Sequence, residues 1–78
     1  MADMKTILSD MVCAIVEYPD QVSIVEETKG DELVLTLNVA PSDMGKVIGR
    51  HGKIAHSLRL IMRVASARSG QKVTVNIR

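Results

Sequence analysis

The sequence predicts an α+β fold with the element order α-β-β-α-α-β. Three observations carry that reading. Apolar residues recur at helical spacing from Met4 to Val16 and again between Lys53 and Ser69. They alternate at strand spacing from Leu33 to Val39 and from Val73 to Ile77. Two glycines, Gly49 and Gly52, stand three apart between two helical segments.

The first helix takes Met4, Ile7, Leu8, Met11, Val12, Ile15 and Val16 on one face. Asp3 is placed to cap it, its carboxylate accepting from amides of the first turn. Pro19 ends it, because proline disfavours helical geometry at Tyr18 and has no amide hydrogen. Gln21 to Glu27 read as a strand, with Val22 and Ile24 on one face and Ser23 and Val25 on the other. Lys29-Gly30-Asp31 supplies a turn. Leu33, Leu35, Leu37 and Val39 then alternate with Val34, Thr36 and Asn38, close enough to the first strand for an antiparallel hairpin. Pro41 stops this second strand. Ser42 is placed to cap a short helix through Met44, Val47 and Ile48. After Gly49-Arg50-His51-Gly52, a longer helix runs from Lys53 to Ser69, with Ile54, Leu58, Ile61, Met62 and Ala65 on one face and Gly70 at its C′ position. Val73, Val75 and Ile77 make the last strand. The 78 residues allow one domain, residues 1–78, with no linker, repeat or low-complexity segment.

Composition excludes several classes. The chain is 46% hydrophobic and 24% charged, the balance of a folded domain. It has no long apolar run and lacks the start of a secretory signal, so a cytoplasmic protein with no membrane contact is expected. Cys13 is the one cysteine, which rules out an internal disulfide and a cysteine zinc site. It reads as a small packing residue beside the apolar stripe. His51 and His56 lack the His-Glu-x-x-His frame, and no acid/base pair has catalytic spacing, so no enzyme, metal or cofactor is expected. Phe and Trp are absent and Tyr18 is the single aromatic, which counts against folds that stack bases on aromatic platforms.

Charge divides along the chain. Residues 1–32 hold two basic and eight acidic side chains, whereas residues 33–78 hold eight basic ones against Asp43 alone. Such a split points to a nucleic-acid partner, or to two halves that complement each other within the fold. The informative stretch is Gly45 to Ile54. Glycine lets a backbone turn sharply and lets a phosphate approach closely. The helix that follows points its free amides and positive dipole end toward the loop. Lys46, Arg50 and Lys53 surround the loop with positive charge, and His51 adds a donor. A tight helix–helix corner is the alternative for the glycine pair alone. No P-loop or dinucleotide fingerprint is present.

Val47-Ile48-Gly49-Arg50-His51-Gly52-Lys53, in this element order, resembles the signature of the KH domain. The whole chain is similar to the stand-alone bacterial KH proteins of the KhpA family. The resemblance implies a type II KH domain: a three-stranded mixed sheet with helices packed on one face, the second and last strands parallel. It implies a non-catalytic protein whose Gly-x-x-Gly loop clamps single-stranded RNA backbone, a cytoplasmic RNA chaperone in post-transcriptional regulation. Gly49, Arg50, His51 and Gly52 would form the clamp, Lys46 and Lys53 would flank it, and Ile48, Ile54 and Ala55 would floor the groove. KH sequences usually carry a branched apolar residue where this chain has Ala55. Arg59, Arg63 and Lys72 are candidates for an extended basic track, or a solvated face. Ser57, Leu60 and Val64 lie on a second arc of the last helix, which either touches the first helix or forms a dimer surface. The family leans toward a homodimer and toward a heteromer with a larger KH-containing, KhpB-like protein. The alternative function is an interaction and dimerisation subunit with weak or no RNA binding.

Overall fold

The computed structural model describes residues 3–77. Met1, Ala2 and Arg78, the last counted above in the basic half, lie outside the described residues. The elements are α1 (Met4–Cys13), β1 (Ser23–Lys29), β2 (Glu32–Asn38), α2 (Met44–Ile48), α3 (Lys53–Ser69) and β3 (Lys72–Ile77), with single 3₁₀ turns at Pro19–Gln21, Pro41–Asp43 and Arg50–Gly52. The order and the α+β class are those the sequence predicts.

The mixed sheet has the order β1-β2-β3. β1 and β2 form an antiparallel hairpin in the register Ser23↔Asn38 to Lys29↔Glu32, closed by the two-residue turn Gly30–Asp31. β2 and β3 run parallel, from Glu32↔Lys72 to Leu37↔Ile77, so the chain must cross over between them, and α2 and α3 make that crossover. Leu33, Leu35 and Leu37 alternate inward along the central strand and are buried. They meet Leu8 and Val12 of α1, Val47 of α2, Leu58 and Met62 of α3, Ile24 of β1 and Val75 of β3 in one core. The opposite face of the sheet carries Val25, Thr36, Thr74 and Asn76, and no helix of the described residues lies over it; there the Thr74 hydroxyl donates to Glu32 Oε2 at 2.6 Å.

Asp3 caps α1, its Oδ1 accepting from the Thr6 amide at 2.7 Å, and that bond holds the Asp3 carboxyl below its usual pKa. Four details depart from the sequence pattern. First, α1 ends at Cys13 rather than running to Val16, and Ile15 is 39% exposed. The amides of Glu17 and Tyr18, which a longer helix would direct at Cys13 and Ala14, donate instead to Asp43. Second, Pro19–Gln21 is a 3₁₀ turn, so β1 starts at Ser23 and extends to Lys29. Third, Ser42 caps nothing: Pro41–Asp43 forms its own turn, and α2 starts at Met44 with no side-chain cap. Fourth, the buried stripe of α3 is Ala55, Leu58, Met62 and Ser66, whereas Ile54 and Ile61 are 37% and 48% exposed. Ser66 tolerates this position because its hydroxyl donates to the Arg63 carbonyl at 2.9 Å.

These placements separate two residues of similar size. Leu35→Ala, at a fully buried site, is expected to cost about 3 kcal/mol in urea unfolding. Ile61→Ala is expected to stay within about 0.5 kcal/mol of the parent.

Candidate nucleic-acid interface

α2 and α3 meet at Gly49-Arg50-His51-Gly52, and the backbone there is held in conformations that most residues avoid. Gly49 has φ 75° and ψ 175°, a region open in practice to glycine alone. A Cβ at this position would sit 2.6 Å from Ile54 Cγ1 and 2.9 Å from Ile54 Cβ and Cδ1. The first turn of α3 therefore folds down onto the glycine backbone and closes the loop. His51 (φ 57°, ψ 26°) and Gly52 (φ 73°, ψ 15°) are both left-handed, the histidine at a cost of about 1 kcal/mol. The Gly49 amide donates back to the Gly45 carbonyl at 2.8 Å, and the Gly52 amide to the Gly49 carbonyl at 3.2 Å.

The loop leaves the N terminus of α3 electrically open. Its N-cap is Gly52, no side chain caps the first turn, and no acidic residue lies in it. Arg50, His51 and Lys53 are all exposed around it. Placing cations at the positive end of a helix dipole is mildly unfavourable in the free protein and favours a bound anion. Successive amides in such a turn make a concavity suited to phosphate. Among the described residues, ion pairs within 4 Å form only at Lys46, so the two oppositely charged halves do not neutralise each other side chain by side chain.

The structure gathers some of the candidate residues and separates others. Arg50, His51 and Lys53 share the loop with the two glycines, and Ile48 (40% exposed) and Ile54 offer apolar surface beside it. Ala55 is buried and belongs to the core stripe of α3. Lys46 is tied down: its ammonium is 3.3 Å from Glu17 Oε2 and 3.5 Å from Asp43 Oδ1, and the Glu17 bond raises its pKa. Arg59 and Arg63 flank a hollow of about 230 Å³ between α3 and β3, where Arg59 Nε donates to the Val75 carbonyl at 3.4 Å on the edge strand. Lys72 alternates onto the opposite, open face of the sheet and does not join them. His56 is solvent-exposed. Ser57 donates to the Lys53 carbonyl at 2.9 Å, while Leu60 and Val64 stay 48% and 58% exposed although α1 packs on α3, so α1 does not cover this arc. Ile61, assigned to the core by spacing, lies in this exposed arc instead, at 48% exposure.

Asp43 is the residue that sequence reasoning missed. It is fully buried. Its Oδ1 accepts from the Glu17 amide and its Oδ2 from the Tyr18 amide, each at 3.0 Å. Burial pushes its pKa up, but the two amides and the Lys46 ammonium outweigh that and hold it below its usual value. The available signal was its being the single acid in residues 33–78.

Residues 5–77 match the family described as KhpA/KhpB, KH domain. The RNA-binding protein KhpA of Clostridium acetobutylicum is 39% identical over 95% of this chain and 99% of its own length. The RNA-binding protein KhpA of Halalkalibacterium halodurans is 38% identical over 95% and 97%. That of Bacillus subtilis is 31% identical over 95% and 91%. The chain belongs to the KhpA/KhpB KH-domain family, a non-catalytic kind of protein.

Asp43 also sets a pH signature. A carboxyl with a lowered folded-state pKa adds stability above its unfolded pKa, near 4, and loses it as pH falls through the folded value. Asp43→Asn keeps one acceptor oxygen for two amide donors. The variant is expected to melt below the parent at pH 7, with the gap narrowing toward pH 3 in thermal scans by circular dichroism.

Proposed function

We propose that this KH-domain protein binds single-stranded RNA by clamping its sugar-phosphate backbone on the Gly49–Gly52 loop. One observation carries the reading: the loop presents an uncapped helix N terminus ringed by Arg50, His51 and Lys53 and free of acidic side chains. The near relatives named RNA-binding protein support RNA as the strand. Gly49 and Gly52 let the backbone approach. Ile48 and Ile54 take base contact through apolar surface, in keeping with the absence of Phe and Trp. Arg59 and Arg63 extend the path toward the β3 edge. With about four phosphates engaged, a salt slope of about −3 is expected.

The exposed strip of Ser57, Leu60, Ile61 and Val64 favours a second element of the same reading. It lies roughly 140° around α3 from the core stripe at 100° per residue, and none of the described residues covers it. We assign it to self-association or to pairing with a larger KH-containing protein, which would bring two loops into one particle and raise apparent affinity.

In a salt series with short single-stranded RNA, the wild type is expected to bind with that negative slope. Arg50→Asp with His51→Asp, shown to be folded by circular dichroism, is expected to bind at least about tenfold more weakly. Equal binding by both proteins would remove the loop from the interface. In sedimentation, Val64→Asp is expected to shift a dimeric parent to monomer; a parent that stays monomeric at high concentration would dismiss the self-association surface.

A further inference from the structure

We propose that Glu17 is an affinity-setting residue of this interface: its carboxylate holds the Lys46 ammonium back from the bound strand, so that the clamp engages one phosphate fewer than its basic residues allow. The inference rests on the clamp reading above and adds a residue from the acidic half of the chain to it.

Lys46 is in the last turn of α2, three residues before Gly49, and half of its side chain is open to solvent. In the free protein it faces two carboxylates, and they are not equivalent. Asp43 is buried, and each of its oxygens already takes a backbone amide, so it is fixed in place. Glu17 is 62% exposed on its side chain and its carboxylate is joined to Lys46 alone among the described contacts. Asp43, Glu17 and Lys46 together carry a charge of −1, so the α2 end of an otherwise basic loop has the opposite sign. With Glu17 neutral the same place carries no net charge, and the ammonium is left with only a buried, already satisfied partner. A phosphate can reach the exposed side of Lys46 once Glu17 no longer competes for it. Exposed ion pairs are weak and exchange readily, so this contact tunes binding rather than blocking it.

The test is a salt series with single-stranded oligouridine, run on the wild type, Glu17→Gln, Glu17→Gln with Lys46→Met, Glu27→Gln and the Arg50→Asp/His51→Asp protein. Glu27 lies on β1, at the sheet edge remote from β3, and reports the effect of deleting a distant negative charge, which salt screens. One additional phosphate contact steepens the slope by about 0.7 and tightens binding about fivefold at 0.1 M salt. Glu17→Gln is expected to show both changes, Glu27→Gln neither, and the added Lys46→Met to abolish the gain. The proposal is overturned if Glu17→Gln matches the wild type, binds more weakly, gains no more than Glu27→Gln, or keeps its gain without Lys46. An unchanged Glu17→Gln beside a loop variant that no longer binds removes the latch and leaves the clamp. A loop variant that binds like wild type removes the clamp, and failure of every protein to bind removes both.

Discussion

A carboxylate without solvent access has to find its hydrogen-bond donors inside the fold, and Asp43 finds them 26 and 25 residues earlier in the chain, at the amides of Glu17 and Tyr18. Much of the architecture follows from that demand. The two amides cannot also continue α1, so the helix stops at Cys13 and the chain turns through Pro19–Gln21 into β1. Asp43 stands immediately before Met44, so the same contact pins the start of α2 against the end of α1. Five residues later that short helix delivers Gly49. The loop is thus located by a polar tie at one end of α2 and by the Ile54 side chain lying on Gly49 at the other.

α3 distributes three tasks around its circumference. Ala55, Leu58, Met62 and Ser66 face the core. Arg59 and Arg63 face the hollow beside the β3 edge, where they add positive charge without burying it. Leu60, Ile61 and Val64 face solvent. A helix of this length keeps the three sectors distinct because each repeats at i, i+3 or i+4. The positive-φ backbone at Gly49, His51 and Gly52 sits at the end of α3 where Arg50, His51 and Lys53 stand exposed.

Most of the framework was legible in the residues. The alternation of Leu33, Leu35 and Leu37 gave the central strand and its inward face, because a period of two leaves no ambiguity about which side is buried. Asp3 and Gly70 marked helix ends by local chemistry that needs no distant partner. The Gly-x-x-Gly spacing and its basic flanks identified the loop. Most of the illegible parts depend on contacts remote in sequence. Apolar spacing along α3 spans a wide sector, and only packing decides that Met62 is inside and Ile61 outside. Ser42 had the chemistry of a cap, but the turn from Pro41 to Asp43 took the position away. Neither the bond that Lys46 donates to Glu17 nor the burial of Asp43 leaves a mark in local pattern.

The proposed function places a single strand of RNA on the Gly49–Gly52 loop and the adjoining start of α3. Backbone amide shifts of nitrogen-15-labelled protein, followed as a short single-stranded RNA is added, test it residue by residue. The largest changes are expected to cluster from Lys46 to Ala55 and to reach Arg59, while β1 and the open face of the sheet stay still. Changes confined to Leu60, Ile61 and Val64, or to the open face at Val25, Thr36 and Thr74, would contradict it.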